Sequence, residues 1–432
     1  MPETLTERYA ASLVQLARAE AIIPLASQTF SKSRTQYPVG AAPLFAARAK
    51  GSHTWDIDGN EYVDLVCSLG AVALGYGDEE INEAVVRQLQ DGVTLTLAHP
   101  LEAEVAERIV ALVPCAEMVR FGKNGTDATS AAIRLARAAT GREHVIVCGY
   151  HGWQDWYIGS TSMHRGVPDR TRSLTHPVPY NDIDALQAVI ADLPDQVAAM
   201  IMEPMTSTWP AEGYLQEVRR ITEENGIVLV FDEMLTGFRF APGGAQEYFG
   251  VTPDLASFGK ALANGFPLSA IVGKREILDL MPTIFFSGTF GGETLSLAAA
   301  KVVLDRMATG EPTAHLAAIG ADLRDRVEAA RPESSRDFLS FSGHPTWVFQ
   351  QWAIEDPETL ARAKTLFLQE MLRRGVLVLN THEVTTAHTD ADAETVAQAY
   401  AQSLTIVAEG LDRGDLLDRL ECEPIRPLFR VR

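Results

Sequence analysis

Four uninterrupted apolar runs in the middle of the chain each close on a singular polar residue, and helical patterns separate them. The runs are HVIVCGYHG (144–152), AAMIMEP (198–204), GIVLVFDE (226–233) and LASFGK (255–260). An apolar run without alternation predicts a strand covered on both faces, the condition of a parallel sheet between helical layers. The intervening segments TDATSAAIRLARAAT (126–140), DIDALQAVIADL (182–193) and LQEVRRITEEN (215–225) carry helical periodicity. Such βα alternation predicts an α/β, doubly wound, mostly parallel domain. Ligands of open α/β sheets bind beyond the carboxyl ends of the strands. Tyr150, His151, Glu203, Asp232 and Lys260 all fall there.

Outside this region the pattern changes. From about residue 310, HLAAIGADLRDRVEAAR, LARAKTLFLQEMLRRG and ETVAQAYAQSLTIVAEGL read as amphipathic helices around a few strands such as TWVFQQWA (346–353). The segment HTWDIDGNEYVDLV (53–66) reads as a hairpin with an Asp-Gly turn. We expect a smaller α+β domain built from both ends of the chain: residues 1–75 packing with residues 311–432, and a large domain over 76–310.

Charge and composition exclude several classes of function. The formal net charge of −20 offers no basic field for nucleic acid. It favours solubility and could also draw in cationic small molecules. No apolar stretch approaches the roughly 18 residues of a membrane span. The N-terminus has acids in place of the basic region of a secretory signal. Four scattered cysteines (67, 115, 148, 422) form no CxxC and are expected as buried free thiols in a reducing cytoplasm. No His, Cys and carboxylate cluster has metal-ligand spacing, so no catalytic metal is expected.

Lys260 and Asp232 end two of the buried runs, 260 − 232 = 28 residues apart. The chain has seven lysines against thirty arginines. A lysine kept in so arginine-rich a chain suggests chemistry, because lysine loses its proton when desolvated and arginine does not. The ordinary alternative is a solvated surface charge. A desolvated amine paired with a carboxylate suits pyridoxal phosphate (PLP). The amine forms a Schiff base with the cofactor aldehyde, and the carboxylate keeps the pyridine nitrogen protonated.

Other segments fit the same cofactor. GKNGTDATSAAIRLAR (122–137) passes from glycines into a helix, whose free N–H groups suit a phosphate. Gly125 and Thr126 are the expected anchors, and Asp127 would repel the anion. Plain N-capping by Thr126 or Asp127 is the competing reading. In SGTFGGET (287–294), Thr289 could meet an anion or merely sit in a glycine-rich turn. Tyr150 could stack on the pyridine ring. His151 serves equally as a cofactor neighbour or as a neutral, hydrogen-bonded core histidine.

These motifs together resemble the class III, PLP-dependent aminotransferases. The similarity is strongest over IVLVFDEMLTGFRFAPGGAQEYFGVTPDLASFGKALANGFPLSAIVG (227–273) and extends to PLFAARAKGSHTWDIDGNEYVDL (43–65), RFGKNGTDATSAAIRLARAATGR (120–142) and VPYNDIDAL (178–186). Within the class it is similar to the glutamate-1-semialdehyde 2,1-aminomutase branch. The resemblance implies the type I aminotransferase fold and a homodimer with active sites at the subunit interface. It makes Lys260 the Schiff-base lysine and Asp232 the pyridinium partner. Gly125 and Thr126 would bind phosphate, Tyr150 would stack on the ring, and Glu203 would orient its hydroxyl side. Thr289 would reach the phosphate of the neighbouring subunit's cofactor.

Departures from the branch collect at substrate-facing positions. The aminomutases carry an IPGGVNSPVR-like stretch whose arginine meets the substrate carboxylate; here it is IIPLASQTFSKSR, with Lys32 at about that place. An aromatic of the GSWGP-like segment becomes Leu69, and the GTLSGNP loop becomes GTFGGET. SQTFSKSRTQYP with GYHGWQDWYIGST, which includes Trp153, resembles a subgroup acting on sugars and polyols, among them aminotransferases of aminoglycoside biosynthesis. The expected activity is transfer of an amino group from a donor to an aldehyde or ketone acceptor. The alternatives are the aminomutase reaction itself, or elimination or epimerisation on an amino sugar. A catalytically silent scaffold is a further alternative, against which the intact Lys260 and Asp232 stand.

Overall fold

Of the described residues, 4–78 and 315–426 form one compact unit, and Glu79–Ala314 form another. The computed structural model describes residues 4–426. In the first unit, β1 (Ala46–Lys50), β2 (His53–Asp56) and β3 (Glu61–Asp64) make an antiparallel meander. The β2–β3 connection is the expected Asp-Gly turn. Gly59 there has a φ of 93°, and the Asp56 carboxylate accepts the Asn60 N–H at 2.8 Å.

The second unit is built on one sheet. Its strands are β4 (Met118–Gly122), β5 (His144–Cys148), β6 (Thr175–Pro177), β7 (Val197–Met202), β8 (Val228–Asp232), β9 (Leu255–Phe258) and β10 (Ser269–Gly273). They lie in the order β4-β10-β9-β8-β7-β5-β6. β10 runs antiparallel to both neighbours, and the pairs from β9 through β6 are parallel. Every residue of β7, β8, β9 and β10 is buried, as continuous apolar runs require. The helix Gly125–Thr140 turns Ala128, Ala131, Ala132 and Ala136 inward with Ile133 and Leu135. Alanines at these positions let its backbone approach the sheet closely, and the core formed with Val145, Ile201 and Val230 is continuous.

Each expected strand stops short. The run 144–152 is strand only to Cys148, 198–204 to Met202, 226–233 to Asp232 and 255–260 to Phe258. Gly149 (φ 111°) and Gly152 (φ 107°) turn the chain out of the sheet after β5. The sequence reading does not include β4, β6 or β10. β6 has only three residues, and the exposed Arg120 interrupts β4, so neither forms a continuous apolar run.

The first unit continues with β11 (Leu339–His344), β12 (Trp347–Trp352), β13 (Val376–Leu377) and β14 (Thr381–Glu383). β13 joins β3 in parallel, and β11-β12-β14 form a separate antiparallel sheet. Helices Pro357–Arg373 and Asp390–Arg413 pack together in this unit. Cys67, Cys115 and Cys148 are buried free thiols, and Cys422 is only partly covered.

Candidate active site

The carboxyl ends of four strands bring most of the expected residues to one edge of the large sheet. β5, β7, β8 and β9 lead into Tyr150 and His151, Glu203, Asp232 and Lys260 respectively. Asp232 is 4 % exposed and held from three directions. Its Oδ2 lies 2.8 Å from His151 Nδ1, and its Oδ1 accepts the Ser257 hydroxyl and the Met234 N–H, each at 3.2 Å. His151 is itself fixed, because Thr129 donates to its carbonyl at 2.9 Å. His151 is thus buried and hydrogen-bonded, and it stands against Asp232 at the strand edge. Its Nε2 is buried with no hydrogen-bond partner.

Glu203 is 5 % exposed, and its Oε2 accepts the Tyr150 N–H at 3.0 Å. That closeness depends on Gly149, where a Cβ would come within 2.5 Å of the same oxygen. Tyr150 is half-buried and meets Tyr157 edge-on, with ring centroids 5.6 Å apart. Tyr157 donates its hydroxyl to the Gly149 carbonyl at 2.8 Å and so braces the turn that carries Tyr150 and His151.

Lys260 is partly buried and begins a single 3₁₀ turn, Lys260–Ala263. Its φ is 45°, a left-handed conformation that costs a branched-Cβ-free residue such as lysine roughly 1 kcal/mol. Strain of that kind persists where the surrounding structure imposes a side-chain direction.

Gly125 opens the helix that ends at Thr140, and Thr126 lies in its first turn. Asp127 turns back on the chain: its Oδ2 accepts the N–H groups of Lys123 (3.0 Å) and Asn124 (2.8 Å). The carboxylate thus faces its own loop, and the Asp127 N–H donates to the Asn124 carbonyl at 3.0 Å; a helix N-terminus that opens on Gly125 and Thr126 suits an anion. Thr126 Oγ1 is buried without a partner, and a Cβ on Gly152 would lie 2.6 Å from it. Thr289 and Phe290 are exposed on the glycine-rich loop before the helix Thr294–Met307. Trp153 is 67 % exposed. Lys32 and Leu69 belong to the other unit, where Lys32 Nζ donates to Ser68 Oγ at 3.3 Å.

The sequence reading missed Ser257, Thr129 and Tyr157. Ser257 had a signal: it is the polar residue inside the otherwise apolar β9, and it pairs in register with Asp232. The neighbouring Glu233 is a different kind of group. It is fully buried, and it accepts the N–H groups of Ala245 (2.7 Å) and Gln246 (2.9 Å). Burial pushes its pKa up despite these bonds, and its role is to tie a turn. Among the described residues, no group of three or more His, Cys, Asp or Glu could hold a metal ion. No described helix is long and apolar enough to cross a membrane.

The aminotransferase class-III family matches residues 36–391, and the chain belongs to that family. It is 35% identical over 413 residues to a glutamate-1-semialdehyde 2,1-aminomutase of Methanococcoides burtonii, covering 87% of this chain and 97% of that one. It is 32% identical over 382 residues to a 3-aminobutyryl-CoA aminotransferase of Cloacimonas acidaminovorans, with 86% and 91% covered. Among solved structures, the PLP-bound FumI protein of Sphingopyxis sp. MTA144 superposes with a TM-score of 0.87 at 29% identity, over 96% of this chain and 99% of that one. A glutamate-1-semialdehyde aminomutase of Pseudomonas aeruginosa PAO1 gives 0.82 at 25% identity, over 93% and 96%. The fold is the type I PLP transaminase fold, and the protein is a PLP-dependent enzyme. The residues at the sheet edge fit that cofactor. A buried carboxylate, an unpartnered buried imidazole nitrogen, an unpartnered threonine hydroxyl and a helix N-terminus match its ring nitrogen and phosphate.

Proposed function

We propose that this enzyme is an aminotransferase moving an amino group from an amino donor to an aldehyde or ketone acceptor, and that the acceptor is a sugar or aminoglycoside intermediate. The observation that carries the transferase reading is the buried Asp232 carboxylate, clamped by His151, Ser257 and Met234 at the strand edge that also carries Lys260. PLP bound there supplies an electron sink for the bond broken at the substrate carbon. Asp232 holds a proton at the cofactor's ring nitrogen, and His151 keeps the carboxylate aimed. Lys260 would anchor the cofactor, and its free amine would remove and return the proton at the substrate carbon. Gly125 and Thr126 bind the phosphate at their helix N-terminus. Tyr150 stacks on the ring and Glu203 orients its hydroxyl side.

The working molecule is read as a homodimer in which Thr289 reaches the neighbouring subunit's cofactor. Leu97 (82 % exposed), Phe285 (83 %) and Phe290 (59 %), among the exposed large apolar side chains, support an interface on the large unit. Lys32, Leu69 and Trp153 are read as substrate-facing, with Lys32 and Leu69 departing from the aminomutase pattern. Four free thiols suit a reducing cytoplasm. The strongly acidic surface suits a cationic amine.

A second reading, the aminomutase reaction, is favoured by the relatives named for it. The experiment that separates the readings follows cofactor absorption while candidate amines are added, with aminoglycosides and glutamate first. Conversion to the amine form of the cofactor by an added donor, and its reversal by a carbonyl acceptor, supports transamination. Turnover of glutamate semialdehyde without any outside donor supports the mutase. Unsaturated or inverted product with the cofactor unchanged points to elimination or epimerisation and overturns the proposal.

A further inference from the structure

Two glycine-rich loops of the large unit are joined by a single ion pair that the chemistry above does not use. Lys123 Nζ lies 2.9 Å from Glu293 Oε2, with the two side chains only 17% and 13% exposed. Lys123 stands two residues before Gly125, in the loop leading into the helix Gly125–Thr140. Glu293 ends the loop that carries Thr289 and caps the helix Thr294–Met307, accepting the N–H groups of Leu295 (2.7 Å) and Ser296 (3.3 Å). Burial pushes the Glu293 carboxyl up, but the Ser296 hydroxyl and Lys123 outweigh it and hold it below the usual range. The carboxyl of the pair is therefore ionised at working pH.

Further contacts hold the second loop against the large unit. Arg120 of β4 donates to the Phe286 carbonyl at 3.1 Å. Gly292 is packed so tightly that a Cβ would come within 2.5 Å of Glu102 Oε1, on the helix Pro100–Leu112. The tip, Ser287–Phe290, is thus flanked by fixed residues while its side chains stay exposed. A part-buried ion pair contributes little net stability compared with apolar side chains in the same space. Its occurrence between these two loops fits a geometric purpose better than a stabilising one.

We propose that Lys123 and Glu293 are positioning residues that tie the loop carrying Thr289, read as reaching the neighbouring subunit's cofactor phosphate, to the Gly125–Thr126 helix N-terminus that binds the subunit's own, and that through this link they set affinity for the phosphate at both sites. The inference rests on the phosphate-binding reading of those residues. Neither side chain need touch the cofactor. Two mechanisms make opposite forecasts. If the pair acts only through its charges, removing the cation weakens binding of a phosphate dianion and removing the anion strengthens it. If it acts as a link, breaking it from either side weakens binding.

The test titrates the full chain, stripped of cofactor, with PLP and with pyridoxal, which lacks the phosphate. Lys123→Gln, Glu293→Gln, the double variant and Thr126→Val are compared by cofactor absorption and fluorescence. Glu293→Gln keeps one of the two oxygens that cap the helix, accepting from either Leu295 or Ser296 and not from both, whereas Lys123→Gln leaves the cap untouched and is the cleaner test of the link. Both single variants are expected to weaken PLP binding by about tenfold, the scale of one charge-assisted contact. Pyridoxal binding should change by less than about twofold, and the double variant should bind like either single one, because all three break the same link. Tighter PLP binding in Glu293→Gln, equal losses for PLP and pyridoxal, or unchanged PLP affinity in both single variants would overturn the proposal. Unchanged PLP affinity in Thr126→Val would instead remove the phosphate reading on which it rests.

Discussion

Asp232 shows how much of the chemistry is decided by one side chain and its neighbours. A carboxylate at 4 % exposure is costly unless its oxygens are matched, and here both are: Oδ2 with His151, Oδ1 with Ser257 and Met234. Replacing it by Asn keeps the shape and removes the charge that, in the proposed reading, holds a proton on the ring nitrogen. We expect Asp232→Asn to lower kcat on the order of 10²-fold or more with little change in thermal unfolding, measured by steady-state assay and calorimetry. Loss of turnover matched by loss of fold would assign Asp232 a structural role. The sequence made this residue legible because a lone acid closes an otherwise apolar run. Ser257, buried in the facing strand, left only the faint signal of one hydroxyl among apolar neighbours. Thr129 and Tyr157 left none, because a threonine or a tyrosine in a helix is commonplace.

At the scale of elements, the least legible feature is the turn Cys67–Gly70. Four consecutive residues take φ values of 46°, 53°, 61° and 77°, and three of them are not glycine. A left-handed turn costs such residues roughly 1–2 kcal/mol each. Cysteine, serine and leucine have no preference for it, so only the surroundings can impose it. The buried Asp64 carboxylate does so. Its Oδ1 accepts the N–H groups of Val66 (2.8 Å) and Cys67 (2.9 Å), and its Oδ2 the hydroxyls of Thr54 (2.9 Å) and Tyr76 (2.8 Å). Asp64→Asn must turn an amide toward two of these donors and leave them unmatched. We expect a stability loss of about 2–4 kcal/mol, visible as a lower urea midpoint; a change under about 0.5 kcal/mol would mean the turn is held elsewhere. Strand ends were misread for a related reason. An apolar run records burial, whereas the end of β5 is set by Gly149 and Gly152, which leave the sheet at positive φ. The βα alternation itself was plain, since burial on both faces writes itself into every position of β7 and β8.

For the molecule as a whole, acid should be felt through buried histidines. Burial pushes the imidazoles of His344 and His382 from 6.5 down to about 4. Both are neutral in the fold above that value, while the unfolded chain takes up their protons near 6.5. Their contribution to stability is complete above about pH 6.5. It drains as pH falls toward 4, at about 1.4 kcal/mol per pH unit for each histidine. Urea midpoints at pH 7, 6 and 5 should fall steadily, and His382→Gln should flatten the slope; an unchanged slope would contradict this. Association is the second whole-molecule expectation. Leu97→Asp or Phe290→Asp should shift the sedimenting species from dimer toward monomer, and no shift would move the interface away from these side chains.

The anchoring lysine is the claim on which the others depend, and covalent labelling reads it directly. The cofactor-loaded protein is reduced with borohydride, which makes a lysine-bound cofactor permanent, then digested and mapped by mass. The account predicts one modified peptide, carrying the cofactor on Lys260, and no label in Lys260→Ala. A label on Lys123 or Lys274, or none on any lysine, would contradict it.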